Sequence, residues 1–232
     1  MLRIDALTSA YGSAQILNRV DLDVGEGEVV ALLGRNGVGK TTLMKTIMGL
    51  LPTTGGEVRL KDRGISKMPT HAIAKAGISY VPQGRGIFDK LTVEENLKMG
   101  LRANPSASAD IPAYIFDRFP ILGERRRQVA GTMSGGQKQQ LAISRAMCGD
   151  PKVLLLDEPS EGIQPNIVQD IGAFLRERVT TKKISVLLIE QNLELVKAAA
   201  DRFAIMVKGE IVKSGLPAEL DNEELLQRYL SV

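Results

Sequence analysis

The sequence predicts an α/β fold on a parallel sheet, with an N-terminal antiparallel β portion and an α-helical insertion in the core. Three observations carry this reading. The runs "EVVALLG", "KVLLLDEP" and "SVLLIEQ" are uninterrupted Leu, Val and Ile stretches of strand length. That is the pattern of strands covered on both faces, as in parallel sheets. In the first third, "LRIDALTSAY", "ILNRVDLDV" and "GEVRL" instead alternate in period two, which marks half-buried antiparallel strands. Between the first two continuous runs, residues 85 to about 150 carry Pro and Gly breaks and helical periodicity, as in "TVEENLKMGL" and "GQKQQLAISRAM".

Taken in order, the alternating strands lead into "EVVALL", a core strand, and then through a glycine-rich stretch into the helical "TTLMKTIMGLL". "MPTHAIAKAG" reads as a polar helix on which His71, the only histidine, faces solvent. The insertion follows, then "KVLLLDEP" and "SVLLI" as further core strands. The end, "DNEELLQRYL", opens with Asp221 and has Glu224 three residues on, a capping-box arrangement for a last helix.

The composition fits one domain over residues 1–232, 44% hydrophobic and 25% charged, long enough to bury a core. Thirty basic against 27 acidic side chains leave a net charge of only +3, which builds no basic face. With 4% aromatics and no Trp, stacking surfaces are scarce as well, so nucleic acid is not an expected partner. The single cysteine, Cys148, excludes an intramolecular disulfide and reads as a small buried apolar group in a reducing compartment. The longest apolar runs, "VVALL" and "SVLLI", fall short of the roughly 18 residues a membrane span needs. The start, "MLRIDALTSA", lacks the apolar core of a signal peptide. The expected location is therefore the cytoplasm, with any membrane attachment made through a partner.

Three stretches carry chemistry. "GRNGVGKTT" fits G-x-x-x-x-G-K-[ST] between a strand and a helix. It comprises Gly34, Arg35, Asn36, Gly37, Val38, Gly39, Lys40, Thr41 and Thr42. Its glycines let backbone N–H groups wrap a phosphate. Lys40 brings a point charge to the β and γ phosphates, and Thr41 a hydroxyl ligand for Mg²⁺. "KVLLLDEP" ends a buried strand in two adjacent carboxylates, which is costly unless they are used. Asp157 is placed to hold Mg²⁺ through water, and Glu158 to polarise the attacking water. In "TMSGGQKQQ", Ser134, Gly135 and Gly136 precede a helix, so free N–H groups and a helix N-terminus form another anion site. Alone, that stretch is equally well a plain Ser N-cap on a turn.

Together, in this order and spacing, "GRNGVGKTT", "YVPQGRG", "MSGGQ" and "VLLLDEP" resemble the ATP-binding-cassette ATPase family, and the resemblance covers essentially the whole chain. It implies a P-loop NTPase (RecA-like) core that binds ATP and Mg²⁺. It also implies a second cassette, a copy of this chain or a related one, closing head to tail so that each ATP lies between the phosphate loop of one chain and "SGGQ", Ser134 to Gln137, of the other. By the same resemblance Gln83 reaches the metal and the attacking water, joining Thr41 and Asp157 as the metal set, and the stretch after Gln83 faces a membrane partner. Tyr11 matches the aromatic that stacks on adenine, although an ordinary half-buried Tyr is the competing reading.

Two positions depart from the general pattern. Gln164 stands where most cassettes have an aspartate, and Gln191 where most have a switch histidine. These departures, with "VPQGRGIFDKLTVEENL" and "ERRRQVAGTMSGGQ", resemble the branch that takes up hydrophobic amino acids, amides and urea. "SEGIQPNIVQDIG" looks closer to the urea and short-amide subunits of that branch. The resemblance implies an ATP-hydrolysing importer subunit on the cytoplasmic face of the inner membrane, with transmembrane permease subunits and an extracytoplasmic solute-binding protein. The alternative is a stand-alone cassette ATPase acting on a non-membrane complex. Such proteins carry two cassettes or a long coiled-coil insertion, and neither occurs in these residues.

Gln191 follows the core run "SVLLI", at the carboxyl end where ligands gather in parallel sheets. Its amide both donates and accepts, enough to bond a γ-phosphate oxygen and a water, but it cannot take up a proton as histidine does. It is read as a catalytic-site sensor, with Glu190 on the other face of the strand. A strand-end glutamine facing solvent is the competing reading.

Overall fold

The computed structural model describes residues 1–104 and 110–230. Strands β1 (Leu2–Tyr11) and β2 (Ala14–Val24) form an antiparallel hairpin, β3 (Val29–Leu33) opens the core, and α1 (Lys40–Ile47) follows the glycine-rich loop. Strands β4 (Thr53–Leu60) and β5 (Arg63–Gly64) return to the hairpin, and α2 (Thr70–Ala76) leads into β6 (Ile78–Val81). Helices α3 (Val93–Leu101), α4 (Ala113–Arg118), α5 (Pro120–Glu124) and α6 (Gly135–Cys148) come next. The chain continues through β7 (Val153–Asp157), α7 (Pro165–Lys182), β8 (Ser185–Ile189), α8 (Leu193–Ala199), β9 (Arg202–Val207), β10 (Glu210–Gly215) and α9 (Glu223–Tyr229).

Two sheets result. One has four strands in the order β2-β1-β4-β5, all pairs antiparallel. The other has six in the order β10-β9-β3-β8-β7-β6, parallel except for β10, which pairs antiparallel to β9 at one edge. The continuous apolar runs β3, β7 and β8 are buried at every position, because both faces of the sheet are covered. Side chains of a strand alternate between faces, and here the alternation divides two cores. Leu154, Leu156, Val186 and Leu188 pack with α6 and α7. Val153, Leu155, Leu187 and Ile189 pack with α1 and the antiparallel sheet. Parity therefore sends Asp157 and Gln191 toward α1 and Glu190 away from it.

The helices between β6 and β7 are tied to the core by aromatic packing: Phe119, at the junction of α4 and α5, meets Phe174 of α7 with ring centroids 5.1 Å apart. Thr92 caps α3 with Glu95, and Ser134 caps α6 with Gln137, both as reciprocal capping boxes. At the C-terminus the structure corrects the sequence reading. Asn222, not Asp221, caps α9, accepting from the amides of Glu224 and Leu225. Asp221 is drawn off instead by Lys197 of α8, at 2.5 Å. His71 is exposed on α2, and Cys148 is buried at the end of α6, where burial pushes its thiol up to about 12.

Candidate active site

The carboxyl ends of β3, β7 and β8 converge on one cluster. After β3, the loop from Gly34 to Gly39 winds back into α1, which starts at Lys40. A Cβ on Gly34, at φ +149°, would sit 2.5 Å from the Met206 carbonyl of β9, so the loop can lie this close to the sheet only without a side chain there. Lys40, 5% exposed, donates from Nζ to the carbonyls of Gly34 at 2.7 Å and Arg35 at 2.9 Å. An ammonium has three donors, so a third is left for a ligand. Burial lowers the Lys40 pKa, against the opposing pull of Glu158 and Asp157.

Asp157 closes β7, 2% exposed. Oδ2 accepts from the Tyr80 hydroxyl at 3.2 Å. Oδ1 is buried and has no partner. Burial pushes its carboxyl up, and the Thr41 hydroxyl, the Tyr80 hydroxyl and Lys40 oppose that shift. An orphaned carboxylate oxygen beside a threonine hydroxyl fits a hard divalent cation, which takes oxygen ligands. The Gln83 amide oxygen can complete that donor set, because the hydrogen bonds of its side chain use only Nε2.

Glu158 is gripped at both oxygens: Gln191 donates from Nε2 to Oε1 at 2.7 Å, and Gln83 donates from Nε2 to Oε2 at 3.2 Å. The same Gln191 amide donates to Asn36 Oδ1 of the phosphate loop at 2.8 Å, and Gln83 also reaches Glu161 at 3.1 Å. The backbone at Glu158 takes φ +50°, a left-handed conformation that is costly for a residue with a Cβ. Four separated stretches thus meet around one carboxylate. A fixed glutamate with a donor on each oxygen can orient a water for in-line attack on a phosphate held by the loop.

The remaining candidates lie apart from this cluster or at its edge. Ser134 and Gln137 are engaged with each other, Ser134 N to Gln137 Oε1 at 3.0 Å and Gln137 N to Ser134 Oγ at 3.3 Å. The sequence reading took the glycines as preceding the helix; they are its first two residues, and their amides are first-turn donors without an intrahelical acceptor. A Cβ on Gly135 would meet Arg85 and the Gly162 carbonyl, so "SGGQ" borders the Gln83–Arg85 loop. Tyr11, 47% exposed at the end of β1, presents an open ring. Val38 packs on the α1 core, Thr42 is buried and Gly37 is exposed. Gln164 sits at the N-cap of α7 without a side-chain capping bond. Glu190, expected only to lie on the other face of the strand, is 1% exposed, and its partners are backbone amides, which leave no trace in a motif.

Comparison with known proteins agrees with this geometry. A family model described as ABC transporter matches residues 17–161. The high-affinity branched-chain amino acid transport ATP-binding protein BraG of Pseudomonas aeruginosa is 39% identical over 232 residues, covering 99% of each chain. The lipopolysaccharide export system ATP-binding protein LptB of Escherichia coli is 35% identical over 227 residues, covering 96% of this chain and 93% of that one. Among solved structures, an ATP-binding cassette of an ABC transporter in its ADP conformation superposes with a TM-score of 0.85 at 26% identity, covering 100% of this chain and 99% of that one. Full-length similarity, a shared fold and a carboxylate cluster built on a phosphate loop lead to one conclusion: the chain belongs to the ABC transporter family, as an ATP-hydrolysing cassette.

Proposed function

We propose that this cassette powers an importer, seated on the cytoplasmic face of the inner membrane through transmembrane permease subunits and paired with a second cassette, identical or related. An extracytoplasmic solute-binding protein would deliver the solute. The relatives named for branched-chain amino acid transport support an amino acid as solute, and "SEGIQPNIVQDIG" supports urea or a short amide. A groove at the edge of β6, with Leu50, Phe88 and Met99 about half exposed along it, supports an apolar partner segment close to the Gln83 loop.

The observation that carries the chemistry is the grip of Gln83 and Gln191 on Glu158. In this reading the loop amides and Lys40 hold the phosphates, Tyr11 stacks on adenine, and Glu158 orients the water. Gln191 senses the γ-phosphate by hydrogen bonding alone. Thr41, Gln83 and Asp157 would hold Mg²⁺, which neutralises charge on the β and γ oxygens when bound. Ser134 to Gln137 serves the nucleotide held by the partner cassette.

The test is ATP hydrolysis by the complex reconstituted with its permeases and binding protein, challenged with urea, acetamide and leucine. One of these raises the rate if the reading is right. A rate indifferent to all three but raised by lipopolysaccharide would replace uptake with export.

A further inference from the structure

We propose that Glu190 is a positioning residue that clamps the turn carrying Glu158 to the loop carrying Gln191. Its carboxylate is 1% exposed, and none of the ion pairs among the described residues includes it. A buried carboxylate without a cation is expensive unless hydrogen bonds saturate it. Here the two oxygens are divided between two loops. Oε1 accepts from the Ser160 amide at 2.8 Å, two residues beyond Glu158. Oε2 accepts from the amides of Gln191 at 2.8 Å and Asn192 at 2.9 Å. The Glu158 amide adds a parallel tie to the Ile189 carbonyl at 2.9 Å.

The consequence follows from the bonding. Only an ionised carboxylate accepts at both oxygens; a carboxamide of the same shape offers one acceptor and turns donors toward donors on the other side. Glu190 on one face of the chain thus fixes the backbone from which Gln191, on the opposite face, reaches Glu158. The clamp sets the meeting of those two side chains without touching nucleotide. It is therefore expected to govern turnover and not ATP affinity. The inference rests on the reading that Gln191 acts on Glu158 and the phosphate.

The experiment measures steady-state MgATP hydrolysis, nucleotide binding and melting temperature for the full chain in four forms: wild type, Glu190→Gln, Gln191→Ala and the double variant. Glu190→Gln is expected to lower kcat roughly 10- to 100-fold with KM for ATP within about twofold, and to cost little further in the Gln191→Ala background. Gln191→Ala at wild-type rate would overturn the reading of Gln191 itself, and this proposal with it. Impaired Gln191→Ala beside fully active Glu190→Gln, or losses that simply multiply, would overturn the clamp alone. So would a loss of activity that only tracks thermal unfolding. Should Glu190→Gln not fold, Glu190→Asp, which keeps both acceptors on a shorter stem, is expected to fold and to show the same drop in kcat at unchanged KM. A wild-type rate in that variant would overturn the clamp.

Discussion

At Asp157 a buried carboxylate costs the folded chain stability. One oxygen is bonded by Tyr80 and the other is buried without a partner, and burial raises the carboxyl pKa. The folded chain therefore keeps a proton that the unfolded chain has already released, over a pH window above the ordinary carboxylate range. Stability contributed at this residue falls as pH rises through that window. Asp157→Asn is expected to melt roughly 2–4 °C above wild type near pH 7 without nucleotide, with the gap closing toward about pH 4, and to lose hydrolysis. With MgATP the order should reverse, since wild type gains more ligand stabilisation than a variant without the Asp157 carboxylate. Thermal melts across pH, with and without MgATP, decide it; an Asn variant less stable at neutral pH would contradict it. The expectations for Lys40, Glu158 and Gln191 came from residues adjacent in the sequence, and that for Gln83 from the family resemblance alone. The bonding of Glu190 was not legible, because its most distant partner, the Ser160 amide, lies 30 residues away.

Elements were legible where a period is local, as in the fully buried strands β3, β7 and β8. The capping boxes of Thr92 with Glu95 and Ser134 with Gln137 emerge only from the structure; the sequence had offered Ser134 as a plain N-cap alone. The cap of α9 was misread because Asp221 has a stronger claimant in Lys197, on a different helix. Strand β1 is also less regular than its alternation implies: its register shifts three times against β2, and Ala6 takes φ +44°. On α3, Leu97 and Val93 are buried while Met99 is 42% exposed on the groove side. Met99→Glu is expected to leave melting temperature within about 1 °C, since an exposed position bears a charge freely, while co-purification with membrane subunits is lost. Retained co-purification would move the docking surface elsewhere.

Across the whole molecule, Gly209 joins the pieces. Its amide donates to the Val38 carbonyl of the phosphate loop and its carbonyl accepts from the Asn18 amide of β2, both at 2.9 Å. At φ +79°, a Cβ there would lie 1.9 Å from the Ile16 carbonyl. Gly209→Ala is expected to cost more than the roughly 1–2 kcal/mol of the left-handed backbone, lowering melting temperature by more than about 4 °C and weakening ATP binding because the loop loses its brace. Unchanged melting and affinity would show that the hairpin simply shifts.

The sequence by itself determined the α/β class, the phosphate loop, the paired carboxylates and the glutamine at the end of "SVLLI", because period, glycine spacing and strand-end charge are properties of short stretches. Only the tertiary structure decided that Gln83 and Gln191 hold opposite oxygens of Glu158, that "SGGQ" lies beside Arg85, and that Glu190 is bonded by two loops at once. Those are contacts between segments that approach only when the sheet orders its strands β9-β3-β8-β7-β6, and hydrogen bonds to backbone amides carry no residue signature by which a sequence could announce them.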